Sequence, residues 1–351
     1  MDSETGSQEV ESTNRGEAGV EPGSDLPNTM QAIVYHSYGS PDVLELQDVQ
    51  KPVVGDDDVL VRVRAASVNP YDWHYMRGEP IIARPQLGGL RKPKTNRLGV
   101  DVAGEVVAVG SNVTEFGPGD DVFGVCTGAF AEYATARESS LVSKPANVSF
   151  EQAGAVGIAA FTAIQGLRDW GQIEAGQKVL INGAAGGVGT FAVQLAKVWG
   201  AEVTGVCSTG NVEMVKSIGA DHVVDYTKDD FTSERGRYDL LLDIIGNRSL
   251  SMTRGVLTPQ GRFVMIGGPK GRWIRPLDRI LTALVSSPFV SQKTVSRTAR
   301  WAKKDLILMR ELMEAGRVRS VIDRKFPLRE VPEAVRYLEE GHARGKVVIT
   351  F

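Results

Sequence analysis

The first half of the chain alternates apolar and polar residues with a period of two. The alternation is clear at 31–35 and 59–64, and an apolar run at 104–109 ends at a glycine. The four residues 117–120 have the glycine, proline and aspartate composition of a turn. A period of two is typical of strands buried on one face. We therefore predict a small antiparallel, barrel-like domain over residues 30–150.

The pattern changes after residue 150, where short apolar runs alternate with helical periods. The strand-like runs are 178–182, 202–207, 240–245 and 262–266. Such alternation is typical of a parallel sheet with crossover helices. We predict an α/β chain in which a doubly wound parallel sheet occupies 151–316. A helix at 331–338 and a strand at 346–350 return to the first domain, which 317–351 completes.

A glycine-rich run lies between the first of these strands and a helix-like stretch. It reads Gly183-Ala184-Ala185-Gly186-Gly187-Val188-Gly189, with alanine in the first glycine position of the common pattern. Missing side chains let a backbone approach a pyrophosphate, and the helix N-terminus favours its charge. We predict a dinucleotide site here, held by the backbone of Ala185, Gly186, Gly187, Val188 and Gly189. The alternative is a glycine turn without a ligand.

The residues after the second strand of this unit indicate which dinucleotide binds. An NAD-selective site usually places an acid there, and no acid stands at 207–211. Ser208, Thr209 and Asn211 offer neutral hydrogen bonds, while Lys216 and Tyr226 offer a charge and a hydroxyl for a 2′-phosphate. We therefore expect NADPH rather than NADH. The alternative is that these polar residues only cap the next helix.

Two later strand ends carry glycines that face the same edge of the predicted sheet. Gly246 follows the third strand, and Ile266 and Gly267 follow the fourth. Ligands of open α/β sheets bind beyond the carboxyl ends of the strands. We expect backbone contacts to the cofactor from these three residues.

Composition and charge limit the other classes of function. The segment 1–29 has seven acids and one base, a net charge of −6, so the remainder carries +3 of the total −3. We expect a disordered acidic tail, and a body with no case for nucleic acid or a membrane surface. The segment lacks the features of a signal or transit peptide. Two cysteines exclude a disulfide framework and fit a reducing compartment, so we expect a cytoplasmic protein.

Several long motifs in this order resemble the medium-chain dehydrogenase/reductase superfamily. The motifs are Ala65-Ala66-Ser67-Val68-Asn69-Pro70-Tyr71-Asp72, Gly99-Val100-Asp101-Val102-Ala103-Gly104, the glycine run, and Gly345-Lys346-Val347-Val348. The resemblance covers nearly all of 30–351. It implies a GroES-like β-rich catalytic domain, a Rossmann domain and a cleft between them. It also implies homodimers or tetramers, often formed through an edge strand, for which we name Phe289-Val290-Ser291.

Zinc alcohol dehydrogenases of this superfamily place a cysteine near Asn69 and a His-Glu pair at Val100-Asp101. Those ligands are absent here, and the chain resembles the zinc-independent, quinone-oxidoreductase-like branch. We expect no metal. Without a Lewis acid, an activated double bond is an easier hydride acceptor than a simple ketone. We expect hydride transfer from NADPH to a quinone or an α,β-unsaturated carbonyl (enone). A metal-free alcohol or carbonyl dehydrogenase, or a non-catalytic NADPH-binding protein, remains an alternative.

The resemblance places Asn69 at the nicotinamide pocket, where its amide orients cofactor or substrate unless it is only a turn residue. Tyr71 and Tyr75 either donate a proton or pack. His74 is a candidate acid–base group near neutral pH. Thr162 matches a cofactor-side threonine, or packs in a helix.

Further expectations concern the edges of the cleft. Asp72 is expected to be structural, and Lys346 either pairs with a cofactor phosphate or is a surface lysine. Related enoyl reductases carry a catalytic tyrosine after the glycine equivalent to Gly78, but Glu79-Pro80 follow here. We expect an irregular basic loop over the cleft mouth at 76–97. The apolar stretch 273–290 lines the substrate pocket or a dimer contact.

Overall fold

The computed structural model describes residues 28–87, 89–268, 282 and 291–351. The predicted acidic tail as far as residue 27 lies outside the described residues. So does all of the predicted pocket or dimer stretch 273–290 except Thr282.

Most of the predicted strands and helices are present. The strands of the described residues are β1 (Thr29–Val34), β2 (Glu45–Gln50), β3 (Asp58–Val68), β4 (Asp101–Val109), β5 (Asp121–Val125), β6 (Tyr133–Arg137), β7 (Leu141–Ser143), β8 (Lys178–Asn182), β9 (Glu202–Cys207), β10 (His222–Asp225), β11 (Tyr238–Asp243), β12 (Leu257–Met265), β13 (Lys293–Ser296), β14 (Ile322–Pro327) and β15 (Lys346–Thr350). The α-helices are α1 (Pro70–Arg77), α2 (Arg84–Leu87), α3 (Phe150–Gly154), α4 (Gly157–Ile164), α5 (Gly187–Val198), α6 (Val212–Ser217), α7 (Leu250–Gly255), α8 (Lys303–Glu314) and α9 (Val331–Glu339). A π-helical segment, Gln165–Trp170, continues α4, and 3₁₀ turns lie at Pro41–Val43, Ile81–Ala83, Glu138–Ser140, Thr209–Asn211 and Leu328–Glu330.

The first sheet is built around the long strand β3. Its order is β14-β15-β3-β4-β5-β7, and β6 also pairs with β3. The pairings are antiparallel except β14 with β15. The last strand returns to this sheet as predicted, with Val347 opposite Val68 and Val348 opposite Ser67. Strand β15 therefore brings Lys346 next to the end of β3.

The second sheet has the order β10-β9-β8-β11-β12-β13, and its pairings are all parallel. The order reverses between β8 and β11, so a crevice opens at the carboxyl ends of these two strands. This confirms the predicted α/β class with a doubly wound parallel sheet. The glycine run follows β8 and therefore lies at this crevice.

One hydrophobic core joins the two sheets. Phe161 of α4 and Phe191 of α5 lie in the same buried cluster as Phe123 of β5. Burial of each of these rings stabilises the fold by about 1.5–3 kcal/mol. The core therefore holds the two sheets in a fixed relation across the crevice. The two cysteines, Cys126 and Cys207, are free and buried.

The predicted irregular loop at 76–97 is partly wrong. Helix α1 extends to Arg77 and ends at Gly78, which has a φ of 58°. A 3₁₀ turn and α2 then follow within the stretch. Their short length gave no detectable periodicity. Among the described residues, no helix is both long and apolar enough to cross a bilayer.

Helix α1 begins at a buried carboxylate. Asp72 accepts hydrogen bonds from the backbone N–H of Asn69, at 2.7 Å, and of Gly99, at 2.9 Å. The expectation that Asp72 is structural is thus confirmed by its contacts. Burial raises the pKa of Asp72 to about 7, against the lowering effect of these two N–H groups.

The raised pKa of Asp72 predicts a pH-dependent stability. Between its ordinary value of 3.8 and about 7, the folded state retains a proton that the unfolded state has released. The free energy of unfolding therefore falls as the pH rises through this window. At about 1.4 kcal/mol per pKa unit, the full change is on the order of 4 kcal/mol. Asp72→Asn should flatten this slope in urea unfolding at pH 4.5 and 7.5. The exposed change Asp48→Asn is the control, and an equal slope in all three proteins would contradict the prediction.

Candidate functional site

The glycine run forms a tight turn between β8 and α5. Gly183 has a φ of 94°, and the N–H of Gly186 donates to the carbonyl of Gly183 at 3.1 Å. Helix α5 begins at Gly187, so its first N–H groups have no intrahelical partner. These groups and the helix dipole form a site for an anion at the crevice.

The glycines of this turn serve different purposes. A Cβ on Gly189 would lie 2.1 Å from the carbonyl oxygen of Gly183, so the fold itself requires this glycine. A Cβ on Gly186 would meet only that same oxygen, at 3.6 Å. The protein's own packing therefore leaves open space at Gly186. The residues fit a dinucleotide whose phosphates occupy this space.

The turn after β9 holds the predicted ribose-side residues together. The Asn211 amide donates to Ser208 Oγ at 3.0 Å, and the Thr209 hydroxyl donates to Asp225 Oδ2 at 2.6 Å. The backbone N–H of Tyr226 donates to the carbonyl oxygen of Cys207, which places Tyr226 beside the turn. Asn211 Oδ1 is buried and has no hydrogen-bond partner among the described residues.

Asp225 supplies an acid to this turn from the neighbouring strand, which the sequence reasoning missed. The hydroxyl of Thr209, with smaller contributions from Thr227, lowers the pKa of Asp225 to about 2. The carboxylate therefore remains ionised, and its oxygens are bonded to Thr209 and Thr227. The hydroxyl of Thr209 is already bonded to protein.

A cation that was not predicted also lies beside this turn. Lys216 lies on α6 and pairs with Glu213 at 3.3 Å. Arg344 approaches the turn, with Nη2 3.5 Å from the position that a Cβ on Gly210 would take. Arg344 is exposed, and its backbone N–H is held by Asp323 at 2.9 Å. Sequence reasoning missed Arg344 because it lies far along the chain, although it directly precedes the quoted Gly345-Lys346 motif.

The three residues at the later strand ends that were predicted to contact the cofactor, Gly246, Ile266 and Gly267, lie around Asp243. Its Oδ1 accepts from the Gly246 N–H and from the Asn182 amide, both at 2.8 Å. The N–H groups of Ile266 and Gly267 donate to the Asp243 carbonyl. These loops therefore gather beside the glycine run. Gly267 is needed for packing, because its Cβ would lie 1.9 Å from the Ile244 carbonyl oxygen.

Asn69 is buried in a polar network at the end of β3. Its Nδ2 donates to the Ser67 carbonyl at 3.2 Å and to Asp101 Oδ2 at 2.9 Å. Its Oδ1 accepts from Lys346 Nζ at 2.6 Å. Both amide hydrogens are thus used by the protein. An effect of Asn69 on cofactor or substrate must therefore act through its position or through Oδ1.

Lys346 is not a surface residue. It is 3% exposed, and its ammonium donates to Asn69 and to Asp101 Oδ2. Its aliphatic chain passes the glycine run, since Cδ is 3.0 Å from the position of a Cβ on Gly187. The predicted contact with a cofactor phosphate stays a prediction.

Helix α1 presents the predicted proton donors together. The rings of Tyr71 and Tyr75 stack with centroids 4.2 Å apart, and both are half-buried. Burial, followed by a hydrogen bond with Tyr75, raises the pKa of Tyr71 above its ordinary range. Tyr71 therefore keeps its proton at neutral pH. His74 stacks on Trp73 at 3.7 Å, and its Nδ1 lies 2.7 Å from the Glu79 carbonyl oxygen.

Thr162 lies in α4, at the boundary of the two sheets. Its hydroxyl donates to the Ile158 carbonyl at 2.8 Å. One turn earlier, the Ile158 N–H donates to Asp101 Oδ1 at 2.8 Å. The helix that carries Thr162 is thus anchored to the network around Asn69. Within the described ranges, no three histidine, cysteine or acidic side chains are grouped to hold a metal ion.

Two family models match the chain. One is described as "Alcohol dehydrogenase GroES-like domain" and matches residues 55–146. The other is described as "Zinc-binding dehydrogenase" and matches residues 218–349. The first model covers part of the first sheet. The second model covers part of the second sheet and also includes α9 and β15.

Relatives of known name match over nearly the whole chain. The chain is 35% identical over 339 residues to 2-methylene-furan-3-one reductase of Solanum lycopersicum, covering 92% of this chain and 80% of the relative. It is 34% identical over 341 residues to the chloroplastic NADPH-dependent alkenal/one oxidoreductase of Arabidopsis thaliana, covering 93% and 81%.

The solved structure of the quinone oxidoreductase from Coxiella burnetii has the same fold. Its TM-score is 0.79 at 28% sequence identity, covering 92% of this chain and 99% of that chain. The parallel sheet, the glycine turn and these relatives agree on an NAD(P)H-dependent oxidoreductase. The chain belongs to the medium-chain dehydrogenase/reductase superfamily, in its quinone-oxidoreductase-like branch.

Proposed function

We propose that this protein reduces a quinone or an α,β-unsaturated carbonyl with NADPH and without a metal. The open space at Gly186 carries the proposal, because it fits a diphosphate at the helix N-terminus beside Lys346. The names of the relatives, a furanone reductase and an alkenal/one oxidoreductase, support the substrate class.

The cofactor and the protein side chains have separate roles in the proposed reaction. Bound NADPH supplies a hydride to the β-carbon of the activated double bond, which leaves negative charge on the carbonyl oxygen. Donors aimed at that oxygen lower the barrier. The hydroxyls of Tyr71 and Tyr75 are our candidates, with His74 a further acid–base group. A proton then reaches the α-carbon from one of these groups or from water.

The donor set around Asn69 supports a reaction without metal. Zinc relatives would place ligands near Asn69 and at Asp101. In this chain the ammonium of Lys346 binds both Asn69 Oδ1 and Asp101 Oδ2. A divalent cation at the same oxygens would be repelled by that ammonium, which is 3% exposed.

NADPH is favoured over NADH by the charges at the ribose turn. Arg344 lies beside Gly210, with its guanidinium Nη2 3.5 Å from the position of a Cβ on Gly210. Asp225 is occupied by two threonines and does not offer its oxygens to a ribose. A guanidinium beside the 2′-position matches a phosphate there.

We also propose a homodimer in a reducing compartment such as the cytoplasm. Strand β13 ends the order of the second sheet, and an edge strand is a ready pairing surface. The predicted edge Phe289-Val290-Ser291 stays a prediction, since Phe289 and Val290 lie outside the described residues and Ser291 precedes β13. The two buried free thiols fit such a compartment.

The activity is tested directly with purified protein. We expect NADPH oxidation with 1,2-naphthoquinone or a small enone, at a rate unchanged by a chelator. Oxidation of a secondary alcohol with NADP⁺ and no enone reduction would favour the dehydrogenase alternative. Tight NADPH binding with no turnover across a broad acceptor panel would select the non-catalytic alternative.

The phosphate cradle is tested by one substitution. Gly186 has φ −83° and ψ 176°, which valine adopts readily. Gly186→Val should therefore fold, while its side chain fills the space for the phosphates and lowers NADPH affinity at least 100-fold in calorimetry. Gly189→Val is the contrasting variant and should destabilise the fold itself. Unchanged NADPH affinity in folded Gly186→Val would disprove the placement.

The cofactor preference is tested at Arg344. Arg344→Gln should lower kcat/KM with NADPH by roughly 10- to 100-fold, the equivalent of a charge-assisted hydrogen bond. The value with NADH should remain within about twofold, since NADH carries no 2′-phosphate. Arg336→Gln, which removes an exposed pair with Asp42, is the control. An unchanged NADPH/NADH ratio would remove Arg344 from the cofactor site.

A further inference from the structure

A buried ion pair within the first sheet lies where α4 and α5 pack against that sheet, next to the cofactor site. Asp101 is 0% exposed and Lys346 is 3% exposed, and the atoms Oδ2 and Nζ are 3.2 Å apart. The proposed hydride transfer assigns no step to this pair. Its contacts nevertheless reach each of the parts that the reaction must align.

The Asp101 carboxylate accepts from four donors on three different segments, namely the end of β3, the start of α4 and β15. Oδ2 accepts from Ser67 Oγ at 2.6 Å, from Asn69 Nδ2 and from Lys346 Nζ. Oδ1 accepts from the backbone of Ile158, in the first turn of α4. Gly157 permits this approach, because its Cβ would lie 1.8 Å from Oδ1.

Lys346 extends the connection from the first sheet to the glycine run. Its ammonium holds Asn69 Oδ1, and its Cδ lies against Gly187, the first residue of α5. Its own backbone is fixed, since its N–H donates to the Val321 carbonyl at 2.8 Å. One side chain therefore spans from the catalytic side of the crevice to the phosphate side.

Stability alone does not account for this pair. Desolvation of two buried charges offsets most of their attraction, and apolar residues of similar volume often stabilise a fold as well or better. A fixed, fully hydrogen-bonded polar junction instead specifies one arrangement of its parts.

We propose that Asp101 and Lys346 are positioning residues for hydride transfer. They set Asn69, the start of α4 and the start of α5 in one register, so that the cofactor and the stacked Tyr71–Tyr75 pair meet at reacting distance. This inference rests on the proposed function, and it concerns alignment rather than cofactor affinity.

The test separates alignment from folding by restoring charge balance. Lys346→Met leaves Asp101 unpaired and is expected to lose stability as well as activity. The double variant Asp101→Asn with Lys346→Met removes both charges and should fold. Lys303→Met is the matched control, because it removes an exposed ion pair to Glu115 that also bridges the two parts of the chain.

The readout is single-turnover oxidation of bound NADPH by excess 1,2-naphthoquinone or enone. Its rate constant does not depend on the fraction of folded protein, which changes only the amplitude. We expect the rate constant of the double variant to fall about 10- to 100-fold, the effect of a misplacement near 1 Å. NADPH affinity should change less than threefold, and Lys303→Met should match the wild type. A double-variant rate constant within twofold of wild type would overturn the proposal.

A second readout does not require turnover. Fluorescence anisotropy decay of bound NADPH reports how firmly the nicotinamide is held. We expect faster ring motion in the double variant, and an unchanged decay together with an unchanged rate overturns the proposal. If wild-type protein binds NADPH but reduces no acceptor, the proposed function fails. In that case the anisotropy decay alone decides whether the pair orders the ring.

Discussion

The carboxylate of Asp101 is the constraint on which the arrangement of the cleft depends. It takes a hydroxyl, an amide, an ammonium and a backbone N–H from segments far apart in the chain. A buried carboxylate is costly unless its oxygens are satisfied. Here the donors belong to different elements of the site. The hydrogen bonds that satisfy the Asp101 carboxylate therefore also hold these elements in place relative to one another.

Asn69 is held in a similar way, because the polar groups of its side chain are hydrogen-bonded within the protein. An amide has two hydrogens and one oxygen, and the protein binds all three groups. The side chain is therefore rigid rather than poised to rearrange around a ligand. The proposed proton donors lie on the next helix instead, where the rings of Tyr71 and Tyr75 stack.

Local patterns predicted the strands well where apolar runs were uninterrupted. The bounds of β8, β9 and β15 coincide with the predicted 178–182, 202–207 and 346–350. The glycine run was placed because strand, turn and helix follow one another directly in the chain. The helical pieces near residue 80 were missed, since three or four residues carry no periodicity.

Contacts between distant segments could not be predicted from patterns. Lys216 lies on α6 beside Glu213, and its contact with the cofactor stays a prediction, whereas Arg344 reaches the turn from the far end of the chain. The depth of Lys346 was equally hidden, because a lysine at a strand start is usually exposed. Such assignments need the tertiary packing of β15 against β3.

The burial of the two thiols affects how they would react with the proposed substrates. Electron-poor alkenes alkylate thiolates, so a protein that handles them exposes its own cysteines to its substrate. Burial raises the pKa of Cys207 to about 11 and that of Cys126 further above the ordinary value. The thiolate is the reactive form. Under the proposed function, this burial would keep both sulfur atoms protonated and out of reach of the electrophilic substrate.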